Sequence, residues 1–272
     1  MQNGLMVILM SGLKILCVSI LLISALLTIL QKQIIFQAPA SKWNDCSFIP
    51  PSWKPYEHSF EGKAVRGWIH EPSHSDMRVF VFHGNAGKAC HRTYWKRVLS
   101  LTNAEVVLVE YPGYDGSPLT YENFLTRGLD TFDYFQRQSK KKVLVVGESL
   151  GSAPATYLAA HRQIHALILH ASFPSLTEVA RSKFPFLPVT HILRYPFPAD
   201  EWAKKVSSPA LSLHGDQDSV IPYKLGKKQS ENFARLQFLK IEGAGHNDWV
   251  RHLTKDHRSI LKDFVDRYNR EE

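Results

Sequence analysis

The stretch that decides the fold is KVLVVGESLGS, residues 142–152. Val143 to Val146 form an unbroken apolar run rich in β-branched residues, which is typical of a strand covered on both faces. The run ends at Gly147, and small residues continue from Ser152 as a predicted helix. A sharp turn between strand and helix strains its middle residue and needs glycine on either side for close approach. This pattern predicts that the Ser149 hydroxyl is exposed above the end of the strand.

A glycine-rich turn with no catalytic role would show the same five-residue pattern, so the surrounding chain has to decide. Strand-like and helix-like stretches alternate, which predicts a mainly parallel sheet with helices on both faces. Functional groups are then expected at the carboxyl ends of the strands. The predicted strands cover residues 78–82, 105–111, 143–146, 166–170, 210–213 and 237–241, with one or two edge strands in 58–70 and helices at 90–101 and 121–136.

Two further predicted strand ends carry groups that suit a serine nucleophile. Asp216 and Asp218 follow one strand, and His246 lies in a glycine-rich loop after the last one. A serine hydroxyl needs a histidine to take its proton and a carboxylate to orient that histidine. Each residue also has a structural interpretation, since Asp218 could stabilise a turn and His246 could cap a helix. The chain order Ser, Asp, His favours catalysis, with a non-catalytic scaffold as the remaining alternative.

The amino-terminal segment differs sharply from the rest of the chain. Lys14 is the only charged side chain between Leu5 and Leu30, and the apolar run is long enough to cross a bilayer. A lysine inside the bilayer costs about 2.5 to 3.5 kcal/mol, so Lys14 must snorkel or lie near an interface. A cleaved signal peptide is the rival, but the stretch directly after the run, residues 31–35, has no small-x-small cleavage pattern. We predict a retained single-pass anchor at residues 1–33 and one folded catalytic domain at 34–272.

Charge and cysteine content limit the kinds of partner and cofactor that the sequence favours. The net charge is +8, spread over clusters of lysines, and no nucleic-acid-binding motif accompanies it. We interpret the lysines as a solvated surface that also suits anionic lipid headgroups. Lysine positions around the apolar run weakly favour a cytoplasmic catalytic domain. Cys46 and Cys90 are far apart in sequence, so we predict neither a disulfide nor a zinc site, and no metal or organic cofactor.

The stretches 83–87, 147–152, 214–222 and 243–248 resemble the α/β-hydrolase superfamily, nearest to its membrane-anchored Bem-type serine hydrolases. The resemblance runs from about Ile34 to the end of the chain and includes a short helical cap at about 172–205. It implies the α/β-hydrolase fold and acyl-bond hydrolysis, with related proteins acting on lipid esters or fatty-acyl thioesters. The chain departs from its relatives at Pro112 and Asp115 and in the proline-rich segment 195–199, so substrate choice transfers least.

Together, the resemblance and the residues predict a mechanism. Ser149 attacks an acyl carbonyl, His246 acts as general base and then general acid, and Asp218 orients the imidazole. The family pattern favours Asp218 over Asp216, because the carboxylate precedes the 220–222 turn by two residues. Backbone amides of Leu150 and Asn85, with Ala86 as the alternative, are expected to bind the oxyanion.

The predicted substrate is an acyl ester or thioester, with lipid-like molecules favoured and a serine peptidase of the same fold as the alternative. We expect a monomer held at membrane lipid by its anchor. Apolar side chains of the cap would either line an acyl pocket or pack onto the core; they are Phe173, Phe184, Phe186, Leu187 and Ile192.

Overall fold

A computed structural model describes residues 2–270 of the 272-residue chain. Its central element is an eight-stranded sheet with the strand order β1-β2-β4-β3-β5-β6-β7-β8. The pairs β1–β2 and β2–β4 are antiparallel. The pair β4–β3 and all later pairs in the order are parallel. The mainly parallel sheet is confirmed. The strands are β1 (Trp53–Phe60), β2 (Lys63–His70), β3 (Met77–Phe82), β4 (Glu105–Val109), β5 (Lys142–Glu148), β6 (Ala166–His170), β7 (Ala210–Gly215) and β8 (Leu236–Ile241).

Helices cover both faces of the sheet, as alternating side chains of the central strands require. On β3, Phe80 and Phe82 face one hydrophobic cluster, and Val79 and Val81 face the other. The first cluster includes residues of α3 and α4, and the second includes residues of α2 and α9. The helices are α1 (Gln2–Ile35), α2 (Tyr94–Val98), α3 (Tyr121–Gln138), α4 (Ser152–His161), α5 (Leu176–Lys183), α6 (Val189–Ile192), α7 (Ala199–Ala203), α8 (Tyr223–Ser230) and α9 (Lys255–Arg270).

The register brings the strand ends of the parallel part to one edge. Gly147 at the end of β5 pairs with Phe82 of β3 on one side and with Leu169 of β6 on the other. Gly215 at the end of β7 pairs with Ile241 of β8. The loops that carry the predicted site residues therefore leave the sheet at the same edge. Three short helices, α5, α6 and α7, lie in the segment between β6 and β7.

The amino-terminal helix α1 is a candidate membrane span. Its segment Leu9–Ile35 has 27 residues, and an 18-residue window within it has a mean hydropathy of 2.6 and is mostly not buried against the rest of the chain. A signal sequence near an amino terminus has the same composition. The helix runs unbroken past residue 33 to Ile35, and Phe36 directly after it is buried in the hydrolase core. The division of the chain between residues 33 and 34 stays a prediction.

The expectation of no disulfide is wrong. Cys46 and Cys90 form one, with their Cα atoms 6.5 Å apart across a sequence separation of 44 residues. The irregular segment after α1 folds back against the loop that follows β3, where the Lys88 ammonium donates hydrogen bonds to the carbonyls of Lys42 and Asp45 at 2.5 and 2.7 Å. Only this tertiary contact brings the two cysteines together, which is why their spacing in the sequence gave no sign of a bridge.

Candidate active site

The turn between β5 and α4 has the strained geometry that its sequence predicts. Ser149 has a φ of +53°, in the left-handed region that non-glycine residues rarely adopt. A Cβ on Gly147 would lie 2.6 Å from the Cβ of Ala155, and one on Gly151 would lie 2.4 Å from the carbonyl oxygens of Phe82 and His83. Neither position accepts a side chain, because strand, helix and neighbouring loop meet there. The turn consequently presents Ser149 at the edge of the sheet, where it lines a cavity.

The structure brings the three predicted residues into one chain of hydrogen bonds. The Ser149 Oγ lies 2.9 Å from the His246 Nε2, and the His246 Nδ1 lies 2.7 Å from the Asp218 Oδ2. Both distances fall within the range that general acid–base transfer needs. The Asp218 side chain is fully buried, whereas that of His246 keeps a small exposed fraction of 11%. The arrangement can move a proton from the serine hydroxyl to the imidazole while the carboxylate fixes the ring.

Several groups keep Asp218 ionised and in place. Burial alone would raise the pKa of its carboxyl, but hydrogen bonds from His214 and His246 outweigh burial and hold that pKa well below its ordinary value. The Asp218 Oδ1 also accepts the backbone N–H groups of Val220 and Ile221, both at 2.8 Å. The buried His214 ring is held in turn by its Nε2, 2.9 Å from the Ile221 carbonyl. The His214 Nε2 also lies 3.5 Å from the Asp218 Oδ2, the same oxygen that the His246 Nδ1 contacts.

The two other carboxylates of these loops make different contacts. The Asp216 Oδ1 accepts the backbone N–H of Gly243 at 2.8 Å, and the Asp248 Oδ1 accepts that of Gly245 at 2.7 Å. Both carboxylates therefore hold the backbone of the loop that carries His246. Within the described part of the chain neither carboxylate is hydrogen-bonded to the His246 ring, and the geometry agrees with the choice of Asp218 among the three. The catalytic roles themselves stay predictions.

A buried network of hydrogen bonds fixes the loop after β3. The His83 Nε2 lies 2.9 Å from the Glu110 Oε1, and both side chains are fully buried. The other carboxylate oxygen of Glu110 accepts the backbone N–H of Ala89 at 3.0 Å. The hydroxyls of Tyr111 and Tyr114 donate to the carbonyls of His83 and Asn85. This network positions Asn85 beside Ser149 and Leu150 at the wall of the same cavity.

Some residues that support the site carry no recognisable sequence signal. Glu148, just before Ser149, accepts hydrogen bonds from Arg92 at 3.1 Å and Trp95 at 3.2 Å, which fasten the turn to the residues around α2. His170 at the end of β6 is buried and stacks on Trp249 with ring centroids 4.3 Å apart. Burial, first, and the nearby histidines lower the pKa of His170 well below its ordinary value. A neutral ring therefore packs beside His246.

The cavity above Ser149 has a volume of about 280 Å³. Of the cap residues considered for an acyl pocket, Phe173, Phe184 and Ile192 line it. Phe186 is 87% exposed and, like Leu187, is not among the lining residues. The rest of the lining is mostly apolar and comprises Leu27, Gln31, Ile34, Ile35, Asn85, Leu150, Leu176, Val179, Ala180, Lys183, Val189, Leu193, Val220 and Ile221.

Within the described part of the chain, no group of three or more His, Cys, Asp or Glu side chains is arranged to hold a metal ion. Acyl transfer by a serine, a histidine and an aspartate would need none, because these side chains can supply the nucleophile and the proton transfers. The expectation that the protein works without a metal or organic cofactor stays a prediction.

Comparison with known proteins shows the same fold and family. The alpha/beta hydrolase family matches residues 79–255. An uncharacterized protein of Mycobacterium tuberculosis is 30% identical over 196 residues, which cover 69% of this chain and 70% of that protein. The lysophosphatidylserine lipase ABHD12 of Danio rerio is 27% identical over 266 residues, covering 84% of this chain but 64% of the lipase. The structure of Est1E from Butyrivibrio proteoclasticus superposes with a TM-score of 0.65 at 18% identity, covering 80% of this chain and 99% of Est1E.

Proposed function

Because the chain belongs to the alpha/beta hydrolase family, we propose that it is a serine hydrolase that cleaves acyl esters or thioesters through an acyl-enzyme on Ser149. One observation carries this proposal. The Ser149 hydroxyl is hydrogen-bonded to His246, which is hydrogen-bonded to Asp218, and the same serine opens into a mostly apolar cavity. A nucleophile with its base at the mouth of an apolar cavity suits an acyl substrate.

Each residue has one role in the proposed reaction. The Ser149 oxygen attacks the acyl carbonyl as His246 takes its proton, and the resulting imidazolium faces the Asp218 carboxylate. The backbone N–H groups of Leu150 and Asn85 donate to the oxyanion. His246 then returns the proton to the leaving alcohol or thiol, and water releases the acyl group by the same steps in reverse order.

The shape and lining of the cavity favour acyl esters over the peptidase alternative. Apart from Gln31, Asn85, Ser149 and Lys183, its lining side chains are apolar. Burying methylene groups stabilises a bound acyl chain by about 0.8 kcal/mol each until the cavity is full. A peptide would leave backbone amides unpaired against such a wall, which is costly. The lysophosphatidylserine lipase among the relatives supports a lipid-like ester as the substrate.

A fluorophosphonate probe and a substrate panel test the proposal. The full-length protein in detergent should react covalently with the probe, and mass spectrometry should place the adduct on Ser149. Acyl esters and thioesters should be hydrolysed faster than aminoacyl amides of matched side chain. Absence of labelling would favour a non-catalytic scaffold, and preferential cleavage of the amides would favour a peptidase.

We further propose that α1 is a membrane anchor and that the hydrolase domain lies on the oxidising side of the membrane. The Cys46–Cys90 disulfide supports this side, because disulfides persist in secretory and extracellular compartments and are rare in the cytosol. The lysine count around the apolar run favours the cytoplasm. The disulfide carries more weight here, since long domains are translocated largely regardless of their charge.

A glycosylation acceptor tests the side of the membrane. Ala234 is exposed and lies two residues after the partly exposed Asn232, so Ala234→Thr completes an Asn-x-Thr acceptor on the domain surface. Expressed in eukaryotic cells, this variant should gain one glycan that an endoglycosidase removes. Adding Asn232→Gln should abolish the shift. An unglycosylated Ala234→Thr variant that remains active would place the domain in the cytoplasm.

A further inference from the structure

The last turns of α1 lie against the candidate active site. Leu27, Gln31, Ile34 and Ile35 line the same cavity as Ser149. These positions are spaced by three, four and seven residues, so they form one face of the helix. The apolar helix that is the candidate membrane span therefore supplies one wall of the cavity above the nucleophile.

Specific polar contacts dock this part of the helix onto the cap. The Gln31 side chain is buried, with a relative exposure of 7%. Its Nε2 donates to the Ile192 carbonyl at 3.1 Å, and its Oε1 accepts the backbone N–H of Arg194 at 2.7 Å. The Nε2 also donates to the Thr28 carbonyl of α1 at 2.9 Å. In lipid the Oε1 would be left unpaired, but here the cap satisfies both ends of the amide. Gln31 thus fixes the rotation of α1 relative to α6.

The residues that follow α1 connect it to the loop after β3, which carries Asn85. The Phe36 ring packs edge-on against Phe124 and Tyr195, each with ring centroids 5.0 Å away. The backbone N–H of Gln37 donates to the Asn85 carbonyl at 3.0 Å. One residue separates the end of the helix from this hydrogen bond, so no flexible linker lies between the anchor and the active site.

The opposite face of α1 makes no such contacts. Leu26 and Ile29 are 55% and 72% exposed, whereas Ser24 and Gln31 are buried. Large apolar side chains of the cavity rim are exposed as well, namely Phe184 and Val220, both at 44%. Exposed apolar surface on both the helix and the rim is stable next to lipid, and it is unfavourable in water.

The length of α1 places the cavity at the depth of lipid acyl chains. Lys14 is expected at the far interface, because a lysine is costly in the hydrocarbon. A helix rises about 1.5 Å per residue, and a hydrocarbon core of about 30 Å takes about 20 residues. Counted from Lys14, the near interface falls at about Ile34. The turns that line the cavity therefore lie just inside the bilayer, with the domain resting on its surface.

We propose that α1 forms one wall of the acyl-binding pocket and that a membrane lipid threads its acyl chain laterally from the bilayer along this helix to Ser149. The inference deepens the proposed function and rests on it. It changes the role of the helix from a tether that only localises the enzyme to a part of the substrate site. A hydrolase domain cut free at residue 33 would keep its triad and lose much of this wall.

Chain-length selectivity tests the wall with the full-length enzyme. Leu27→Trp puts bulk into the cavity, and Ile29→Trp puts the same bulk on the exposed face two residues away. Each methylene buried contributes about fourfold to affinity at 25 °C. In Leu27→Trp, the ratio of kcat/KM for p-nitrophenyl palmitate to that for p-nitrophenyl butyrate should fall at least about tenfold. Ile29→Trp should keep the wild-type ratio. Equal ratios in all three proteins, or equal losses in both variants, would overturn the proposal.

A covalent map provides a measurement on the unaltered protein. A hexadecyl fluorophosphonate with a photoreactive diazirine at the end of its chain should label Ser149 and, after irradiation, crosslink to residues 27–35. Crosslinks confined to α5 and α6 would show that the acyl chain avoids α1 and would overturn the proposal. A wild-type protein that neither reacts with fluorophosphonates nor hydrolyses any ester would instead contradict the proposed function itself.

Discussion

The candidate active site has a polar half and an apolar half, which are built in different ways. The polar half consists of Ser149, His246, Asp218 and the loop after β3, and hydrogen bonds of 2.7 and 2.9 Å join the three residues. The apolar half is a cavity wall made by the cap and the last turns of α1. Directional bonds fix the first half, and shape and burial fix the second. Chemistry and substrate choice are therefore separable in this molecule.

The comparison predicts that the halves fail independently. When hydrogen-bonded groups act as a unit, removing one of them also removes the contribution that the others make to turnover. An apolar wall loses affinity gradually as contact area is lost, because hydrophobic stabilisation scales with the area buried. Changes in the polar half should consequently affect turnover of all substrates, and changes in the wall should affect long-chain substrates most.

Removing the Ser149 hydroxyl should have the largest effect. Ser149→Ala should lower turnover by roughly 10⁶-fold and abolish fluorophosphonate labelling, because the remaining members of a triad cannot act alone. Affinity for a long-chain fatty acid, measured by calorimetry, should stay near wild type because the apolar half is untouched. Ser152→Ala is the matched control, since its buried Oγ has no hydrogen-bond partner among the described residues. Labelling that persists in Ser149→Ala would show that another residue is the nucleophile.

Replacing the orienting carboxylate should have the next largest effect. Asp218→Asn should lower kcat on the order of 10⁴-fold, because the amide favours the wrong histidine tautomer. Asp216→Asn should cost far less, since Asp216 contacts only the Gly243 backbone of the histidine loop. Steady-state kinetics on one short ester and one long ester should show the same loss for both, as a defect in the polar half requires. The opposite ranking of the two variants would assign the role to Asp216.

The polar half could be read from the sequence because local patterns encode it. A buried β-branched strand followed by Gly147, Ser149 and Gly151 specifies its own turn, and the strained φ of Ser149 agrees with that pattern. Strand ends of a parallel sheet meet at one edge, so Asp218 and His246 could be placed near Ser149 without knowledge of any contact. Their supports could not be placed, since nothing in the local sequence shows that His214 contacts Asp218 or that Glu110 contacts His83.

The apolar half and the disulfide depend on tertiary contacts, which one sequence does not reveal. Leu27 and Gln31 lie in a run that reads as a membrane anchor, and their second role follows only from docking onto α6. Phe186 is one of the cap side chains expected to line a pocket or pack onto the core, and it is instead exposed. Cys46 and Cys90 are joined because the segment after α1 folds over the loop after β3. In each case chain topology decides, and residue type does not.

Breaking the disulfide should change stability more than chemistry. The Cys46–Cys90 bridge closes a loop of 44 residues, which corresponds to about 4 kcal/mol of stabilisation by loop entropy. Cys46→Ser with Cys90→Ser should lower the thermal midpoint on the order of 10 °C, measured by differential scanning in detergent. Cys17→Ser, which removes the free cysteine of α1, is the control and should leave the midpoint unchanged. If the double variant is as stable as wild type, the loop is held by its hydrogen bonds to Lys88 instead.

Lowering the pH from 8 to 5 should have the smallest effect of these changes on the polar half. Burial opposes ionisation of Asp218, but its hydrogen bonds to His214 and His246 lower its pKa well below the unfolded value of about 3.9. The stabilisation that goes with a lowered pKa is present above pH 3.9 and is lost as pH falls through the folded value. The infrared carboxylate band assigned by its loss in Asp218→Asn should therefore keep its intensity from pH 8 to pH 5. A band that weakens within this range would mean that His214 and His246 do not hold the carboxylate as the geometry implies.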